Sequence, residues 1–267
     1  MKTIAIISSV GGAGRTTLTA ALAGLLGARK HAVLALECDP RNVLALYGGL
    51  REPAGAGLAS YLLNPGSAPA EAALQSDDGT LWLPWGGARP QGGLSAAEQA
   101  MIAATLHRQP GWLRDLLAQV DLPGNGIALV DTATWPSVHA EQAIAAADLV
   151  VVVVPPTPLA CATLLRLRAE LAGRGKQSLY VANGISPAMA LHTDIIALLR
   201  QLLGAELSTY RIHADSGVPE ALARNQNFSL AAPHSQAAHD MQGLATWLSS
   251  WVKQASRRAA PAAGGAP

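Results

Sequence analysis

A short apolar run, Lys2-Thr3-Ile4-Ala5-Ile6-Ile7, reads as a buried strand, and it leads into Gly11-Gly12-Ala13-Gly14-Arg15-Thr16-Thr17. The Leu- and Ala-rich stretch from Leu18 to Ala28 reads as the helix that follows. Nothing else in the chain restricts its fold so strongly. A strand that ends in a glycine turn and opens a helix aims several backbone N–H groups at one point. That concave nest holds a phosphate whatever side chains surround it. The plainer reading, a tight structural turn, has to be weighed against the acidic strand ends found downstream.

Strand-like and helix-like segments alternate almost to the end. Strands are expected at 2–8, 32–37, 80–84, 127–131, 148–154, 177–183 and 207–212. Helices are expected near 16–29, 57–63, 95–107, 110–120, 137–146, 158–172, 190–203, 216–224 and 235–254. This pattern implies an α/β fold: a mostly parallel, doubly wound sheet flanked by helices on both faces. The run Val150 to Val154, β-branched throughout and stopped by Pro155-Pro156, is the clearest central strand. Half of the 267 residues are hydrophobic, enough for a sizeable core, and a single Phe beside 26 Gly points to tight helix–sheet packing. Residues 1–255 are expected as one domain, with 64–79 as an insertion or mobile loop. Residues 256–267, ending in Ala, Gly and Pro only, are expected as a disordered tail.

A net charge of +1 offers no general attraction to nucleic acid or anionic membrane, so no nucleic-acid partner is expected. The two cysteines, Cys38 and Cys161, make no disulfide framework, and no secretory signal opens the chain. Both point to a cytoplasmic location. Seven histidines stand at no ligand spacing. Leu244, Trp247, Leu248, Trp251 and Val252 recur at helical spacing before Lys253, Arg257 and Arg258. Such a stripe packs on a sheet, with the basic end offering at most a peripheral membrane contact. Trp82 and Trp85 either line a partner surface or fill a gap.

Two acidic strand ends accompany the glycine loop. Glu37-Cys38-Asp39-Pro40-Arg41-Asn42 follows the second strand, and Ala128-Leu129-Val130-Asp131-Thr132 contains the end of the fourth. Ligands collect at this edge of a parallel sheet. An aspartate placed like Asp131 typically holds magnesium through water beside the loop threonine. With these three motifs the chain resembles the deviant Walker ATPases of the MinD/ParA type, in the SIMIBI class of P-loop NTPases. The stretch Tyr210 to Gln226, with Ala232 to Ala238, is similar to their cellulose-biosynthesis branch, BcsQ (also YhjQ). The resemblance covers roughly residues 1–252.

The resemblance implies ATP and Mg2+ as cofactors and gives each residue a role. Gly11, Gly12, Ala13, Gly14 and Arg15 would wrap the phosphates, Thr17 would touch the α-phosphate, and Thr16 would ligate magnesium. Asp131 would sit in the metal's outer shell, and Asp39 would orient the attacking water. Asn183 would contact adenine, with His213 to Val218, including Asp215, closing the base pocket. The implied partners are a second copy across the nucleotide, small regulatory Bcs subunits and the cellulose synthase complex at the inner membrane. The location implied is cytoplasmic, or peripheral at the inner membrane or cell pole.

Three positions depart from the pattern. Val10 replaces the signature lysine that crosses to the partner subunit, Arg15 replaces the ordinary loop lysine, and Glu37 replaces an aspartate. Arginine keeps a charge but is bulkier and planar. Losing a transition-state cation costs on the order of 10³–10⁵ in rate, judged by arginine fingers. The expected function is therefore a nucleotide-gated dimeric adaptor for cellulose secretion, with slow or absent hydrolysis. Two alternatives stay open: an active ATPase that positions DNA or division machinery, and a scaffold that has lost nucleotide. An NAD-binding dehydrogenase is excluded by the glycine spacing.

Overall fold

Strands buried at every position need helices on both faces, because no side is left for water. Three of this chain's strands are of that kind: Val33–Cys38, Ile127–Thr132 and Leu149–Val154. The structure is a computed structural model that describes residues 1–66, 69–90 and 92–259. In chain order its first half comprises β1 (Lys2–Ile7), α1 (Arg15–Ala28), β2 (Val33–Cys38), α2 (Leu44–Tyr47), α3 (Leu58–Leu63), β3 (Leu74–Gln75), β4 (Leu81–Leu83), α4 (Ala96–Arg108) and α5 (Trp112–Leu117). There follow β5 (Ile127–Thr132), α6 (Val138–Ala146), β6 (Leu149–Val154), α7 (Pro158–Gly173), β7 (Ser178–Ile185), α8 (Ala190–Leu203), β8 (Ile212–His213), α9 (Gly217–Ala223), α10 (Phe228–Ala231) and α11 (Gln236–Ala259).

The strands form one sheet in the order β3-β4-β2-β5-β1-β6-β7-β8. All neighbours are parallel except β3 against β4. From β1 the chain moves out to β2, returns to insert β5 beside β1, and then crosses to β6 on the other side. β1 is thus the switch point of the sheet, and a crevice opens at the carboxyl end of such a strand. Register brings the critical ends level: Ile6 pairs with Asp131, and Glu37 with Asp131. On one face α1 packs against α11 over β1, β2 and β5. α6 covers the same three strands, with α4 and α5 against it.

The strands and longer helices expected from the sequence are present, with shifted ends. The final strand is shorter than the expected 207–212: Leu207 makes an isolated bridge to Tyr180, and the ladder resumes only at Ile212–His213. The segment 64–79 includes β3, the edge strand paired to β4. Its turn is closed by Asp78 Oδ1, which accepts from Ser76 Oγ at 2.6 Å and Thr80 N at 3.0 Å. α11 runs on through Ala259, past the boundary expected at 255, while the rest of the tail lies outside the described residues. Its stripe is spent on packing, since Leu244, Leu248 and Val252 are fully buried. Trp82 and Trp85 fill gaps in the core and offer no surface to a partner. Among the described residues no helix is long and apolar enough to cross a membrane.

Candidate functional site

The turn between β1 and α1 leaves its backbone amides open. Gly12 and Gly14 sit at φ +69° and +89°, the left-handed region that only glycine adopts without strain. A Cβ on Gly11 or Gly12 would meet nothing within 4 Å, so the loop is open on that side. No side chain caps α1 and no acidic residue lies in its first turn. The backbone amides from Gly11 through Thr17 donate to no acceptor among the described residues, and the helix ladder begins with Leu18 N to Gly14 O at 2.9 Å. Unpaired amides at the positive end of a helix dipole form an anion cradle.

Beside it stands an oxygen pair. Thr16 Oγ1 donates to Asp131 Oδ2 at 2.7 Å, and Asp131 Oδ1 is buried with no partner among the described residues. Burial, with the charge of Asp39 adding to it, pushes Asp131 up to about 7, against the Thr16 bond and the charge of Arg15. A free buried carboxylate oxygen next to a hydroxyl fits a hard cation such as Mg2+, which keeps waters and takes few protein ligands. No cluster of three or more His, Cys, Asp or Glu side chains offers a full protein cage among the described residues.

Arg15 is tied to two backbone carbonyls beside the loop. Its guanidinium is buried, with Nε donating to Thr132 O at 2.9 Å and Nη1 to Val10 O at 3.0 Å. It ties the first turn of the loop to the end of β5. Burial lowers its pKa, and Asp131 opposes that shift. Nη2 has no protein partner among the described residues and remains available to an anion.

Asp39 is also engaged. Arg41 Nε and Nη2 both donate to its Oδ2, at 2.9 and 2.6 Å, and Arg41 N donates to Oδ1 at 3.0 Å. A cavity of about 800 Å³ opens next to this turn, lined by Arg41, Asn42, Gly86, Arg89 and Gln99 among others. Thr17 Oγ1 donates to Tyr47 Oη at 3.1 Å. On the expected base side, Asn183 Nδ2 donates to Ala13 O at 2.7 Å. His213 lies one strand away from Asn183, held to Asp240 Oδ2 through Nδ1 (2.7 Å) and its backbone amide (3.0 Å). Asp215 Oδ1 accepts from Gly217 N at 2.8 Å, at the start of α9.

Glu37, like Asp131, is fully buried near the site. Its Oε1 accepts from Val43 N at 2.6 Å and Leu44 N at 3.0 Å, capping α2. Burial and then the neighbouring Asp131 push it up to about 8 from an ordinary 4.5, despite those bonds. The folded state therefore holds this proton more tightly than the unfolded chain. The stability it contributes is full below about pH 4.5 and is lost as pH rises towards about 8. Glu37→Gln, which keeps the accepting oxygen, should melt like the parent near pH 4 and at a higher temperature near pH 9. Parallel melting profiles across that range would contradict the assignment.

The fold therefore gathers Gly11 to Thr17, Asp39, Asp131 and Asn183 at one edge, with His213 beside Asn183. Tyr47, Arg41 as a partner of Asp39, Trp135 and Thr163 were not legible in the sequence. Tyr47, Trp135 and Thr163 come to the loop or its flanking residues from distant parts of the chain, whereas Arg41 meets Asp39 two positions away. Ser9 Oγ, for example, lies 2.7 Å from Thr163 Oγ1, 154 positions along the chain.

With this geometry in view, the likenesses to known proteins are informative. MinD, the septum site-determining protein of Pyrococcus horikoshii, solved with Mg-ADP, superposes with a TM-score of 0.71 at 19% identity, covering 92% of this chain and 95% of that one. A plasmid partition protein from Borrelia burgdorferi, solved with AMPPNP, gives 0.73 at 15% identity, with 93% and 99% covered. Cobyrinic acid a,c-diamide synthase from Mycobacterium smegmatis, solved with an ATP analogue and magnesium, gives 0.71 at 17% identity over 94% and 96%. At such identities these likenesses establish the fold, that of the MinD/ParA-type P-loop ATPases. No curated protein sequence matches the chain. The family profile for cellulose biosynthesis protein BcsQ matches residues 1–248, nearly the whole chain, and the chain belongs to that family.

Proposed function

We propose that this chain binds ATP with magnesium at the β1–α1 loop and works as a nucleotide-gated adaptor for the cellulose synthase complex, with slow or absent hydrolysis. The observation that carries the reading is the coincidence of two features: unpaired amides from Gly11 to Thr17, and a Thr16–Asp131 pair with one free buried carboxylate oxygen. The amides, with Nη2 of Arg15, would take the phosphate oxygens. Thr16 and Asp131 would hold Mg2+, which when bound neutralises phosphate charge. Structural relatives solved with Mg-ADP or an ATP analogue support the cofactor choice. Family membership supports the cellulose role.

Slow turnover follows from the side chains. Valine at position 10 offers no cation, and Asp39, the residue proposed to orient water, has both oxygens taken by Arg41. An adaptor needs no turnover: nucleotide shifts the population if it binds the dimer better than the monomer. On α7, the helix whose Thr163 meets Ser9, Leu159 is 64% exposed, an apolar side chain available to a second copy.

The test is calorimetry of ATP with Mg2+ on the purified chain, with solution mass measured in parallel. Thr16→Ala should weaken magnesium-dependent binding by about 10–100-fold, as loss of a residue that holds or orients a metal does. It should also abolish the nucleotide-induced dimer. Failure of the parent chain to bind millimolar ATP would leave a scaffold that keeps only the shape of the site. Rapid turnover would instead support an active positioning ATPase.

A further inference from the structure

A nucleoside triphosphate brings several negative charges to a loop that has little free positive charge. Asp39 and Asp131 are both buried beside it. Arg41 is committed to Asp39, Arg15 is held by two carbonyls, and position 10 is valine. One further cation stands next to the loop. Arg166, exposed on α7, has no acidic partner among the described residues, and its guanidinium carbon lies 5.5 Å from the centroid of the Trp135 ring.

Two ties bring this pair to the loop. Trp135 N donates to Ser8 O at 2.9 Å. Thr163, about one helical turn before Arg166, has its Oγ1 2.7 Å from Ser9 Oγ. Side chains of a helix lean toward its N-terminus, so Arg166 reaches back to the end of α7 that meets the loop. The platform beneath it is fixed, because Trp135 Nε1 donates to Glu141 Oε1 at 2.9 Å. A guanidinium resting on an aromatic face keeps its N–H fork for another acceptor.

We propose that Arg166 supplies the cation missing at position 10, with Trp135 holding it ready to bond the terminal phosphates of a nucleoside triphosphate at the loop. This inference rests on the nucleotide reading of that loop. A contact to the terminal phosphate separates triphosphate from diphosphate, so the expected signature is loss of that distinction. Trp135 is a positioning residue and Arg166 a binding residue.

The experiment is calorimetry of ATP and ADP, each with Mg2+, on the full chain and on Arg166→Gln and Arg166→Lys, with melting curves recorded without nucleotide. Arg166→Gln should weaken ATP at least about tenfold, the worth of a charge-assisted bond, and ADP distinctly less. Arg166→Lys should fall between parent and Gln, and the nucleotide-free melting temperature should hold. Equal ATP affinity in the parent and Arg166→Gln would overturn the proposal while leaving the loop as the nucleotide site. A lowered melting temperature with unchanged affinity would overturn it in the same way, showing that Arg166 only covers Trp135. Absence of ATP binding by the parent itself would sink both readings together.

Discussion

Gly14→Ala should abolish detectable nucleotide binding while leaving the chain folded but weakened. Gly14 stands at φ +89°, where an L side chain is strained by about 1–2 kcal/mol. Its new Cβ would fall 2.3 Å from Asn183 Nδ2. Asn183 cannot retreat freely, because that nitrogen donates to Ala13 O. Either the loop opens or this bond breaks, at a further cost of about 1 kcal/mol. Both outcomes turn the amides of Gly11 to Thr17 away from a common point, and a nest that no longer converges has lost its function. Adding Asn183→Ala removes the clash but not the backbone strain, so the double variant should regain stability in part and binding little. Urea unfolding and calorimetry of the parent and the two variants measure both. Full recovery of binding in the double variant would show that steric contact, and not the left-handed backbone, dominates.

Arg15→Ala should be the most destabilising single change at the site, at about 3–5 kcal/mol, the usual cost of removing one partner from a buried charged arrangement. The substitution strands the carbonyls of Val10 and Thr132 and takes from Asp131 the charge that opposes its burial. Arg15→Lys should restore only part of this, since a single ammonium group cannot reproduce the two separated donors Nε and Nη1. Chemical denaturation at neutral pH decides the matter. A cost below about 1 kcal/mol, the range of a surface pair, would show that the guanidinium is not a staple. Arg15 would then serve the phosphates alone, as the sequence motif implies.

These two residues mark how far the chain could be read without its structure. Gly14 was legible because its role is local: the strand before it, the helix after it and the need for positive φ all lie within a few positions. The same holds for the alternation that produced the parallel sheet, and for Asp131 at the end of an apolar strand facing the loop threonine. Arg15 was legible only as a cation. Its bonds run to Val10, five positions away, and to Thr132, 117 positions away. Only the insertion of β5 beside β1 brings that second carbonyl within reach.

The other surprises have the same origin. Glu37 read only as the replacement of an aspartate, yet its longer side chain caps the short helix α2, an element too brief to show any periodicity. The segment 64–79 read as an insertion or mobile loop from its composition, and edge pairing with β4 and the Asp78 turn order part of it. Arg166 carries no motif at all; its interest comes from Trp135 and Ser9 arriving at the same corner. The sequence by itself determined the order of strands and helices, the glycine turn between β1 and α1 and the threonine and aspartate beside it, since backbone geometry and burial pattern are written in neighbouring residues. The tertiary structure alone decided which long side chains are free. An arginine or glutamate bonds whatever the crossovers bring close, and in a parallel sheet those neighbours come from distant parts of the chain.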